Sequence, residues 1–141
     1  MLRKAYTAFF YHFVWATCER LPLIEPEMER ELYRSIEAEV AKMGGETLAV
    51  GGMEDHVHLV VCLPSKLAPC RLMQQVKGVS SQVGRELRGR DTLFRWQHGY
   101  GAFSLSRPHV ARAVAYVNRQ KEHHSHEKLW HEWERCDQPA E

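Results

Sequence analysis

The sequence predicts an α+β fold, an antiparallel sheet with two helices on one face, and three observations lead there. Segments rich in β-branched and aromatic residues alternate with segments whose apolar residues recur every three or four positions. Their order is β-α-β-β-α-β with helices after it, the order of the ferredoxin-like split βαβ arrangement. The two middle strands are so close in the chain that they pair as a hairpin. At 141 residues, 44% hydrophobic and 26% charged, residues 1–141 suit one domain with a sizeable core.

The first strand spans Tyr6 to Thr17, where Phe9, Phe10, Tyr11, Phe13, Val14 and Trp15 run uninterrupted by Gly or Pro. Pro26 then opens a helix. Met28, Leu32, Ile36, Val40 and Met43 form its apolar stripe, Glu27, Glu29, Arg30, Glu37 and Glu39 lie mostly on the solvated side, and Gly44-Gly45 stops it. Thr47 to Met53 is a short strand, Glu54-Asp55 a tight turn, and His56 to Leu63 the next strand, ended by Pro64. From Pro69 to about Arg88 a second helix buries Leu72, Val76, Val79, Val83 and Leu87. Leu93 to Ser106 reads as a final strand, bent or bulged around Gly99-Tyr100-Gly101. Ser106 caps a third helix, with Pro108 just inside it, running to about His123. Trp130 and Trp133 in the acidic tail suggest one more short helix, whose neighbours His124, His126 and His131 read as exposed or capping residues.

The chemistry-bearing stretch is Glu54-Asp55-His56-Val57-His58-Leu59. Alternate residues of a strand share a face, so His56 and His58 point the same way while Val57 and Leu59 pack behind them. Two imidazoles side by side are half of a metal site, or simply two histidines on a half-exposed strand. On the third helix Arg112, Tyr116, Gln120 and His123 recur at steps of four, four and three and share one face.

A net charge of +1 hides an asymmetry. Residues 1–65 carry six Lys/Arg against ten Asp/Glu, residues 66–121 eleven against two, and residues 122–141 two against six. The basic middle block, net +9, predicts a polyanionic partner, of which nucleic acid is the commonest. Lys77, Ser81, Arg85 and Arg88 form a row of donors on the second helix, and Arg95 and Arg112 add to it, all candidates for phosphate contact. The aromatics around Arg95 either stack unpaired bases or belong to the core.

No apolar run approaches the roughly 20 residues that span a bilayer, and the first residues do not read as a signal peptide. Cys18, Cys62, Cys70 and Cys136 are scattered with no Cys-x-x-Cys pair, which suits reduced thiols in a cytoplasmic protein.

Several co-linear motifs carry a resemblance. They are Tyr11-His12-Phe13-Val14-Trp15-Ala16-Thr17, Asp55-His56-Val57-His58-Leu59, Lys77-Gly78-Val79-Ser80-Ser81, Trp96 through Ser104, and Tyr116-Val117-Asn118-Arg119-Gln120-Lys121-Glu122-His123-His124. Over nearly its whole length the chain resembles the IS200/IS605-type transposases, the single-tyrosine members of the HUH endonuclease superfamily, REP-associated tyrosine transposases included. The resemblance implies that His56, His58 and Gln120 hold one Mg²⁺ or Mn²⁺ ion and that Tyr116, on a helix added to the ferredoxin-like core, is the nucleophile. It implies cleavage of single-stranded or hairpin DNA through a 5′-phosphotyrosine link, with rejoining by reversal and no need of ATP. It also implies a homodimer joined through its sheets, in which the tyrosine helix of one subunit can complete the site of the other.

Two other uses of paired strand histidines fit poorly. A HIT-type nucleotide hydrolase needs a third histidine where Val60 stands, and a cupin-like site needs more strands than this chain has. A non-catalytic or domesticated hairpin binder on the same fold is the alternative, although such a protein has no need of His56, His58, Tyr116 and Gln120 together.

Overall fold

The fold is built around a hairpin whose second strand runs through the middle of the sheet. The structure, a computed structural model, describes residues 5–89 and 91–121. Strands β1 (Phe9–Ala16), β2 (Glu46–Met53), β3 (His56–Leu63) and β4 (Gly101–Leu105) form an antiparallel sheet in the order β2-β3-β1-β4. Helices α1 (Glu29–Lys42) and α2 (Pro69–Arg88) connect them in the split βαβ order, and α3 (Arg107–Asn118) follows β4. The α+β, ferredoxin-like expectation is met.

Period-two alternation divides β1 and β3 into two very different faces. Phe13, Trp15, Val57, Leu59, Val61 and Leu63 turn one way and are buried with Leu32, Ile36 and Val40 of α1 and Leu72, Met73 and Val76 of α2. Each such fully buried apolar side chain contributes roughly 1.5–3 kcal/mol. The opposite face carries His12, Val14, Ala16, His56, His58 and Val60, placed in pairs by the β1–β3 register (Ala16 opposite His56, Val14 opposite His58, His12 opposite Val60). Helix α3 covers this second face through a small apolar cluster of Ala49, Val60, Ala113 and Val117. Gly51 of β2 permits the close approach, because a Cβ there would stand 2.8 Å from the Val117 carbonyl oxygen.

Helix α1 ends as its glycines predict. Gly44 has φ +87° and its N–H bonds Ala41 O (3.0 Å), while Gly45 N–H bonds Val40 O (2.9 Å), the paired bonds of a Schellman stop. Its start differs slightly, since a short 3-10 turn at Pro26–Met28 precedes the α-helix. Glu39 is buried rather than solvated, accepting from Gln75 Nε2 of α2 at 3.0 Å. On α2 the inner line is Leu72, Met73, Val76, Ser80 and Gly84, and Leu87 is exposed. The small residues face inward because Phe94 and Trp96 fill the space beside them, Trp96 donating its Nε1–H to Ser80 Oγ at 3.0 Å.

The expected long final strand is broken. Trp96 makes an isolated bridge to Thr17, and Lys77 Nζ then holds the carbonyls of Gln97 (2.9 Å) and Gly99 (2.7 Å) before β4 begins. The sheet's irregularity lies instead in β2, between Thr47 and Ala49. Helix α3 covers Arg107–Asn118, helical backbone resumes at Gln120 and Lys121 after Arg119, and the rest of the expected stretch to His123 lies outside the described residues. The tail helix and the readings of His123, His124, His126 and His131 fall outside the described residues. Among the described residues no helix is long and apolar enough to cross a membrane.

Candidate active site

Strand β3 places His56 and His58 on the α3 side of the sheet, both buried, with ring centroids 5.1 Å apart. Helix α3 brings its own residues against them. Tyr116 lies edge-on to His58 with centroids 5.6 Å apart, and Gln120, where helical backbone resumes after Arg119, sets its Oε1 3.1 Å from His56 Nε2. All four side chains are 0–2% exposed. Two imidazoles and an amide oxygen are donors that divalent first-row ions and Mg²⁺ accept. Among the described residues no group of three or more His, Cys, Asp or Glu is arranged to hold a metal.

Two further residues complete the cluster, and sequence reasoning gave neither a role. His56 Nδ1 lies 2.7 Å from Asp55 Oδ1, and Arg20 lies 3.7 Å from the other carboxylate oxygen. Burial alone would raise the Asp55 carboxyl, but the His56 hydrogen bond, the His56 charge and Arg20 outweigh it and hold the group below its ordinary value. His58 Nδ1 lies 2.8 Å from Nε2 of His12, a fully buried residue of β1. His12 also approaches Tyr116, with centroids 6.4 Å apart. The signal for Asp55 was its adjacency to His56. The signal for His12 was its period-two spacing with Val14 and Ala16, which needed the β1–β3 pairing to become legible.

Between a rigid strand and the end of α3, the chain thus gathers imidazoles, an amide and a phenol. The family described as IS200-like transposase matches residues 5–120. The chain belongs to that family. No curated protein matches it. Among solved structures, a Deinococcus radiodurans protein described as a candidate transposase superposes with a TM-score of 0.67 at 22% identity, covering 85% of this chain and 96% of that one. A REP-associated tyrosine transposase bound to a REP hairpin gives 0.62 at 14% identity, covering 92% and 75%. At these identities the likeness is one of fold.

The remaining candidate residues of this IS200-like transposase divide into two groups. Lys77, Ser81, Arg85 and Arg95 line one open cavity of about 750 Å³ together with Cys18, Trp96, Gln97 and His98. Within it Arg85 donates to Ser81 Oγ (2.8 Å) and Arg95 to Cys18 Sγ (3.2 Å). Arg88 is not among the lining residues, since its Nη1 bonds Leu23 O and Glu25 Oε1, both at 3.0 Å. Arg112 stands exposed on α3, across the sheet from α2. Phe94 and Trp96 are core residues, 1% and 7% exposed. A second cavity, about 360 Å³, opens beside Gln120 between Glu29, Tyr33, Gly52, Asn118 and Lys121.

Proposed function

We propose that this transposase cuts and rejoins single-stranded DNA at hairpins, with His56, His58 and Gln120 holding one Mg²⁺ or Mn²⁺ ion and Tyr116 attacking the scissile phosphodiester. The observation that carries the reading is the meeting of all four side chains on one sheet face, anchored by the 3.1 Å contact of His56 Nε2 with Gln120 Oε1. Two imidazole nitrogens and an amide oxygen gathered this way would suit such an ion. When bound, the ion polarises the phosphate and offsets charge on the leaving oxygen.

The chain's own residues supply the rest. A phenol with an ordinary value near 10 is a weak nucleophile at neutral pH, and the edge-on packing of Tyr116 on His58 limits how its ring can turn. Attack by Tyr116 Oη forms a bond to phosphorus as the bond to the 3′ oxygen breaks. The phenolic proton leaves, the 3′ oxygen gains one, and a 5′-phosphotyrosine link remains. Reversal by another 3′-OH rejoins the strand, since the ester is kept. Because the site residues are buried, a strand reaches the phenol only when part of what covers it moves. Backbone contacts from Lys77, Ser81, Arg85 and Arg95 grip the hairpin, and the REP-associated tyrosine transposase of similar fold is itself bound to a REP hairpin. The edge strands β2 and β4 offer the means of joining two copies into a homodimer.

The test is incubation with 5′- and 3′-labelled hairpin oligonucleotides and Mg²⁺, resolved on a denaturing gel. A protein–DNA adduct carrying the 3′ label, dependent on the metal, is expected. Hairpin binding with no adduct under Mg²⁺ or Mn²⁺ would favour the non-catalytic binder instead.

A further inference from the structure

Both histidines of the β3 pair are engaged at the same ring atom by a neighbour other than Gln120 and Tyr116. His56 presents Nδ1 to the Asp55 carboxylate at 2.7 Å, and His58 presents Nδ1 to His12 Nε2 at 2.8 Å. Nε2 of each ring is then the atom directed the other way, and in His56 that atom is the one beside Gln120 Oε1. We infer that Asp55 and His12 are positioning residues, each fixing the ring plane and tautomer of one histidine so that both offer an Nε2 lone pair to the ion. The inference rests on the metal-site reading above.

A neutral imidazole carries one N–H, and a ring that ligates through Nε2 carries it on Nδ1. An ionised carboxylate only accepts, so Asp55 selects the Nδ1–H form of His56 outright. His12 can do the same for His58 only by offering its own Nε2 lone pair. In the reverse arrangement His12 donates, the His58 proton moves to Nε2, and that ring no longer ligates. A buried imidazole at this place therefore sets whether His58 is competent.

The backbone around Asp55 is built to hold it. Thr17 N–H donates to Asp55 O (2.9 Å) and Ile24 N–H to Glu54 O (2.9 Å), tying the hairpin tip to the segment after β1. Within that segment Glu19 and Arg20 both take left-handed backbone angles, φ 54° and 57°, which non-glycine residues adopt at a cost. The turn they make brings the Arg20 guanidinium to Asp55. Arg20 is half-exposed, so its share in steadying the carboxylate is small.

Mn²⁺ affinity, read by electron paramagnetic resonance on the full chain without DNA, tests the inference. His12→Phe keeps an aromatic ring, though a larger one, and removes the acceptor, and Asp55→Ala removes the carboxylate. Each is expected to weaken Mn²⁺ binding about 10- to 100-fold, with adduct formation restored by excess Mn²⁺ and hairpin affinity unchanged. His12→Gln, which can still accept from His58, is expected to recover most of the affinity lost in His12→Phe. Circular dichroism melts identify any variant that fails to fold, and the Gln-against-Phe comparison then carries the test. Equal affinities in His12→Phe, His12→Gln and the unaltered protein would overturn the positioning role while leaving the metal site standing. An unaltered, folded protein that binds no Mn²⁺ would overturn the metal-site reading itself.

Discussion

Tyr116 and Gln120 sit one turn apart in the chain, and single substitutions would separate the nucleophile role proposed for one from the ligand role proposed for the other. Tyr116→Phe retains the edge-on ring contact with His58 and removes only the hydroxyl. The expected outcome is complete loss of the covalent adduct with hairpin affinity within about twofold of the original, read by gel shift at fixed salt. Gln120→Ala removes the oxygen 3.1 Å from His56 Nε2. It is expected to weaken Mn²⁺ binding and to slow adduct formation, with partial recovery at high Mn²⁺, whereas Tyr116→Phe shows no recovery at any concentration. The contrast distinguishes a ligand from a nucleophile. Both residues were legible from the sequence through family motifs and helical spacing. Asp55 and His12 were not, because their contacts with the two histidines rest on side-chain hydrogen bonds and, for His12, on the β1–β3 pairing.

At the scale of elements, α3 is seated by small residues, and its seat is a point of control. Gly51→Ala would set a methyl 2.8 Å from Val117 O, so α3 must shift or the strand must bend. A cost of about 1–3 kcal/mol in stability is expected, together with lower Mn²⁺ affinity, because Gln120 follows α3. Urea unfolding and Mn²⁺ titration of this variant check both. Helix α1 offers a pH test. Burial first, and the nearby Glu29 carboxylate second, raise the Tyr33 phenol above its ordinary value, and its hydroxyl has no hydrogen-bond partner among the described residues. An acid raised by folding costs nothing while it is neutral in both states. Above about pH 10 the unfolded chain ionises and the folded one does not, so stability falls as pH rises. Tyr33→Phe is expected to be neutral or slightly stabilising near pH 7 and to lessen the loss between about pH 9 and about pH 11. Denaturant midpoints at the two pH values measure it.

The elements also show what a sequence can and cannot reveal. His56–Leu63 and Pro69–Arg88 have the bounds expected of them, because an apolar run between a turn and Pro64 and a Pro-opened amphipathic run are local signals. The final strand did not, because Lys77, some twenty residues away, holds the carbonyls of Gln97 and Gly99 and interrupts it. The inner line of α2 rotated toward Ser80 and Gly84 for a like reason, since Phe94 and Trp96 arrive from elsewhere in the chain to fill that space.

Over the whole molecule, the basic cavity beside α2 and the histidine pair lie on different sides of one sheet, with Arg112 of α3 on the side of the pair. Helix α2, which bears Lys77, Ser81 and Arg85, packs with the apolar face, while the histidine pair faces α3. A hairpin gripped at α2 must therefore pass a strand around the sheet to reach Tyr116. Binding should weaken steeply with salt, and Arg85→Ala and Arg95→Ala should each reduce the slope of log affinity against log salt by roughly 0.7–0.9, leaving Mn²⁺ affinity unchanged. A flat salt response would place the grip elsewhere. The central claim is that the phenol of Tyr116 becomes joined to DNA, and mass spectrometry of the adduct tests it most directly. After nuclease trimming and tryptic digestion, a nucleotide is expected on the Ala113–Arg119 peptide, attached at Tyr116. The same mass on any other peptide, or an adduct whose Ala113–Arg119 peptide is unmodified, would contradict it.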